Sequence, residues 1–129
     1  MRPSIIAVSS ESGLLHLIRT LFDGNGVAVR TTSDWESAPV LVERLLPRVV
    51  ILDLLPWEDT CWRVLEALKA RASTCAIPVL VCPVAARLLA GHEKLLALPG
   101  VHVWSEGFQV QDLLEMVQFA LAAPIAAWP

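Results

Sequence analysis

Arg48-Val-Val-Ile-Leu-Asp-Leu-Leu-Pro56 drives four apolar residues, three of them β-branched, straight into an aspartate before proline breaks the chain. A run this short and branched predicts a strand buried on both faces, as in a parallel sheet covered by helices. Asp53 then falls at the carboxyl end of that strand, the edge where open α/β sheets place ligands and chemistry. That makes it a candidate site residue. Its other reading is a carboxylate that only caps the following turn.

Four more strand-like runs flank this one, Ile5–Val8, Val27–Thr31, Val79–Cys82 and Val101–Trp104, and helical patterns separate all five. Leu14, Leu17, Ile18, Leu21 and Phe22 share one face of the first helix, which Gly24-Asn-Gly26 ends. The second helix buries Val42 and Leu45 and stops at Pro47. The third carries Cys61, Val64, Leu65 and Leu68, the fourth runs from Ala85 to Leu98, and the last turns Leu113, Leu114, Val117 and Leu121 inward. Strict alternation of strand and helix implies right-handed crossovers and a parallel sheet. Residues 1–123 form one domain on this reading, and Pro124-Ile-Ala-Ala-Trp-Pro129 is a tail or the start of a linker.

A chain of 129 residues suits a single core, and 55% hydrophobic against 18% charged residues suits a sheet covered on both faces. No apolar run approaches the ~18 residues that span a bilayer. Ile5–Val8 is too short for the core of a secretory signal, so a cytoplasmic protein is expected. Cys61, Cys75 and Cys82 form no Cys-x-x-Cys pair, which suggests neither a disulfide framework nor a zinc site. The net charge is −3, every Lys and Arg lies at or before Lys94, and residues 95–129 carry only Glu106, Asp112 and Glu115 as charges. Without a basic stripe to track phosphates, nucleic-acid binding by this domain is not expected.

The order of Ile5-Ile-Ala-Val-Ser-Ser-Glu11, Pro47-Arg-Val-Val-Ile-Leu-Asp53, Ile77-Pro-Val-Leu-Val81 and Phe108 before the last helix resembles receiver domains of bacterial two-component response regulators. The resemblance covers roughly residues 4 to 123. It implies a doubly wound, flavodoxin-like α/β fold: a five-stranded parallel sheet of order 2-1-3-4-5 with helices on both faces. Asp53 takes the phosphoacceptor position. The two acidic positions that hold Mg²⁺ in receivers read Ser9 and Ser10, with Glu11 the only acid nearby, and neutral hydroxyls serve a hard dication poorly. The hydroxyl position after the fourth strand matches Pro83, which has neither hydroxyl nor backbone N–H. The aromatic switch position falls on Val103 or Trp104, and the lysine position matches Glu106.

Asp53 and Glu106 would thus face each other without a cation, and two carboxylates ~5 Å apart repel by about 3 kcal/mol at an effective dielectric of 20. The expectation is a degenerate receiver, a pseudo-receiver, that signals through protein contacts without phosphorylation. It is no enzyme, needs no cofactor and binds Mg²⁺ weakly or not at all. Two alternatives stand beside it. One is a working receiver with Asp53 as phosphoacceptor. The other is a flavodoxin-like binder of a small anion or cofactor in the Ser9–Gly13 loop, where Ser10 or Ser12 otherwise only caps the first helix.

Trp35, Trp57 and Trp62 fall in loops or on outward helix positions, which favours a binding surface. Met116 and Phe119 lie off the inward face of the last helix, as part of a partner surface or as half-buried edge residues. The resemblance implies association of two copies through the last two helices and the fifth strand. His16, His92 and His102 are scattered and are expected to be exposed or in loops.

Overall fold

The computed structural model describes residues 4–10, 12–23, 27–54, 58–82, 91–103 and 110–122. Their order is β1 (Ile5–Val8), α1 (Ser12–Asp23), β2 (Val29–Thr32), α2 (Ala38–Leu45), β3 (Val49–Asp53), α3 (Asp59–Ala70), β4 (Val79–Cys82), α4 (Glu93–Leu96), β5 (Val101–Val103) and α5 (Val110–Ala122). The strands form one five-stranded sheet of order β2-β1-β3-β4-β5. Every pairing is parallel. This is the expected doubly wound architecture.

The near-continuous apolar strands follow from burial on both faces. Along β1, β3 and β4, Ile6, Val8, Val50, Leu52, Val79 and Val81 point to one side, where α2 and α3 bring Val42, Cys61, Val64, Leu65 and Leu68. The alternate residues Ile5, Ala7, Val49, Ile51, Leu80 and Cys82 meet Ile18 and Phe22 of α1 and Val117 of α5 on the other side. A strand with a period of two residues can serve both layers only if both sets are apolar. Each fully buried Leu or Ile contributes about 1.5–3 kcal/mol relative to exposure.

Several boundaries differ from the sequence reading. β2 starts at Val29 and not at Val27, since Ala28 gives its carbonyl to Ser4 and Ile5 before regular pairing begins. Leu17 lies at the rim of the α1 stripe and is 39% exposed, while Ile18 and Phe22 are buried. Of the fourth helix, Glu93–Leu96 is helical and residues 83–90 are outside the described set. α2 ends as expected before Pro47, with Leu46 in the left-handed region at φ 45° and its amide donating to the Val42 carbonyl.

The turn between α3 and β4 fixes where β4 begins. Thr74 is buried, and its Oγ1 donates to the Leu68 carbonyl at 2.6 Å. Lys69 Nζ donates to the carbonyls of Cys75 and Ile77 at 3.0 and 2.9 Å. Burial at this position pulls the Lys69 amine down to about 8.

Candidate functional site

Parallel pairing brings the carboxyl ends of β1, β3 and β4 together. Val8 is in register with Leu52, so the next residues, Ser9 and Asp53, lie side by side. Ser9 is buried, its amide donates to the Thr32 carbonyl at 3.1 Å, and its Oγ donates to Asp53 Oδ2 at 2.7 Å. The half-buried Asp53 carboxylate therefore has a strong, charge-assisted donor where the resemblance would set a second acid. Among the described residues no Lys or Arg forms an ion pair with Asp53.

On the other side of Asp53 its register partner is Cys82 at the end of β4. Burial, and next the negative charge of Asp53, push the Cys82 thiol up to about 12. Held protonated at neutral pH, it is a poor nucleophile there. Next to Ser9 stands Ser10, whose Oγ accepts a hydrogen bond from Trp35 Nε1 at 3.1 Å. That bond ties the loop after β1 to the loop after β2.

Among the described residues, a divalent cation at this edge would meet one carboxylate and two hydroxyls, both already engaged in hydrogen bonds. That donor set does not fit Mg²⁺, which takes carboxylate and water oxygens in near-octahedral order. No group of three or more His, Cys, Asp or Glu is placed to hold a metal among the described residues. Glu11, Trp57, Pro83, Trp104 and Glu106 lie outside the described residues, as do 124–129. Val103 ends β5 half-buried and packs on the core.

Two tryptophans correct the sequence reading. Trp35 is 7% exposed and Trp62 is 5% exposed, so neither offers a binding surface. Trp62 sits beside the Cys61, Val64, Leu65, Leu68 stripe, and the His92 ring covers it, stacked at 3.7 Å between centroids with an interplanar angle of 4°. His92 is therefore half-buried and held against α3. The histidine ring supplied the cover that helical periodicity alone could not reveal. His16 is exposed as expected, whereas His102 is half-buried in β5, where burial lowers its pKa. Phe119 is 43% exposed on α5, and the Met116 side chain is outside the described residues.

Sequence reasoning paired Asp53 with the serine positions only by resemblance. The register of β1 against β3 is the physical signal for the Ser9–Asp53 bond, because pairing Val8 with Leu52 sets the next residue of each strand side by side. The Trp35–Ser10 bond had no comparable signal, as it joins two loops.

No protein-family model matches the sequence, and no curated protein matches it. The fold is similar to solved receiver structures. The receiver domain of a Pseudomonas aeruginosa sensor histidine kinase, solved with a magnesium ion coordinated in its active-site cleft, aligns at TM-score 0.70 and 15% identity over 94% of this chain and 99% of that one. A chemotaxis protein of Vibrio cholerae gives 0.73 at 15% identity, over 93% and 99%. The signal receiver domain of a DNA-binding response regulator from Colwellia psychrerythraea gives 0.76 at 14% identity, over 94% and 99%. Likeness at these identities establishes a shared fold, and the fold spans nearly the whole of each chain.

Proposed function

We propose that this chain is a receiver-like module of bacterial signal transduction that acts through protein contacts without phosphorylation of Asp53. The observation that carries the reading is the Ser9 Oγ bond to Asp53 Oδ2. In a phosphorylatable site the acid needs free oxygens for the incoming phosphoryl group, a metal to neutralise charge and a cation to hold the product. Here one of the two carboxylate oxygens is engaged by a buried serine, the cross-strand neighbour is a protonated thiol, and Lys and Arg are absent from residues 95–129. Asp53 on this reading is a structural acceptor that fastens the ends of β1 and β3.

The module has no turnover of its own and needs no cofactor. Its partner is a protein, reached in the cytoplasm through surfaces that include α5. Among the described residues no helix is long and apolar enough to cross a membrane. Beryllofluoride with Mg²⁺ tests the reading, because it mimics a phosphoryl group on an acceptor aspartate. The amide resonances of Ser9, Asp53 and Cys82 are expected to stay in place through the titration. Saturable shifts at those three residues would restore the working-receiver alternative.

A further inference from the structure

β2 is one edge of the sheet, so nothing in the sheet covers its outer side. Between this strand and α2 lies a cavity of about 280 Å³ lined by Arg30, Thr31, Asp34, Val40, Leu41 and Arg44, among others. Val40 is 58% exposed and lies one helical turn before Arg44. Arg30 and Arg44 are exposed and form no ion pair among the described residues, whereas Glu43, next along α2, is paired with Arg71. Asp34 is the one acid in the lining, and its carboxylate is turned to Ser37, whose amide donates to it at 3.4 Å. The groove therefore presents two arginines and one acid, with Val40 and Leu41 as its apolar residues and Thr32 and Ser37 completing a polar lining.

The opposite pattern stands on α5. Asp112, Glu115 and Phe119 follow at i, i+3 and i+7 on the side away from the buried Val117, with Phe119 43% exposed and both acids exposed. Glu115 accepts a hydrogen bond from Gln111 at 3.4 Å, which leaves its charge in place. The net charge of −3 equals the three acids of residues 95–129, a stretch whose sequence contains no Lys or Arg. In the association that the receiver resemblance implies, through the last two helices and the fifth strand, α5 contributes acids and no base.

We infer that the β2–α2 groove is the docking site for α5 of a second copy of this chain, with Asp112 and Glu115 meeting Arg30 and Arg44 and Phe119 seated on Val40 and Leu41. The two patches are different surfaces, so the contact is head to tail and each copy keeps one patch open. Such an interface builds rings or filaments and not a closed symmetric dimer. Its ion pairs are exposed, so added salt weakens it.

The test is sedimentation of the whole chain with two charge reversals. The wild-type protein should show a weight-average mass above the 14.1 kDa of one chain, rising with concentration and falling back in high salt. Arg44→Glu blocks only the groove and Glu115→Arg only the helix, so each alone should sediment as a monomer. Mixed in equal amounts they should assemble again, because the intact groove of one meets the intact helix of the other, and the reversed groove meets the reversed helix with the charges exchanged. Circular dichroism confirms that both variants fold, and Arg30→Glu serves as a second groove variant. A wild-type protein monomeric at every concentration, a reversal that leaves assembly unchanged, or a mixture that stays monomeric would each overturn the inference. None of these outcomes bears on whether Asp53 can be phosphorylated.

Discussion

Ser9 and Asp53 close the carboxyl edge of the sheet through a 2.7 Å hydrogen bond from a buried hydroxyl to a half-buried carboxylate. The bond joins strands far apart in sequence and adjacent in the sheet, so it acts as a clasp between β1 and β3.

A double-mutant cycle measures the clasp. Ser9→Ala should cost about 1–2 kcal/mol in urea unfolding, the range for a hydrogen bond to a charged group whose acceptor keeps some access to water. In the Asp53→Ala background the same change should cost little, giving a coupling energy of about 1–2 kcal/mol. Additive effects would show that the bond contributes nothing to the fold.

The stack of Trp62 on His92 fastens α4 to α3. Replacing His92 with Ala should lower stability by about 1 kcal/mol beyond the loss of contact area, and His92→Phe should recover most of it, since an aromatic pair needs only the ring. Equal loss in both variants would assign the effect to something other than stacking.

His102 gives the fold a defined response to acid. Burial lowers its pKa below the ordinary 6.5, so in that window the unfolded chain binds more protons than the folded one. Its contribution is complete above 6.5 and is lost as pH falls through the folded value. The urea midpoint should therefore drop between pH 7 and pH 5, and His102→Gln should flatten that part of the profile. A parallel slope in the variant would place the acid sensitivity elsewhere.

Thiol reactivity reports the interior of the site. Cys75 is exposed, while Cys61 and Cys82 are buried, and Cys82 is further held protonated by burial and by Asp53. A disulfide reagent at neutral pH should label Cys75 alone before unfolding, with Cys61 and Cys82 reacting only in denaturant. Rapid labelling of Cys82 would mean that the end of β4 beside Asp53 opens to solvent.

The centre of the sheet was legible in the sequence because β1, β3 and β4 are covered on both faces and read as apolar runs, Val49 to Leu52 above all. Alternation gave the parallel topology, and the place of Asp53 at a strand end followed from it. The helix faces were less legible. Leu17 and Trp62 sit at stripe edges, where burial depends on what packs there from elsewhere in the chain, and a helical period cannot supply that. The same holds for Trp35, whose indole is fixed by Ser10 from a different loop. The chemistry of the site was legible as residue types, while the hydrogen bond that joins Ser9 to Asp53 required the register of β1 against β3.

The most direct test of the central claim is the intact mass of the folded chain after incubation with acetyl phosphate and Mg²⁺. We predict an unchanged mass, both for the wild-type protein and for Asp53→Ala. A stoichiometric gain of about 80 Da, the mass of one phosphoryl group, that vanishes in Asp53→Ala would contradict the account and make this chain a working receiver.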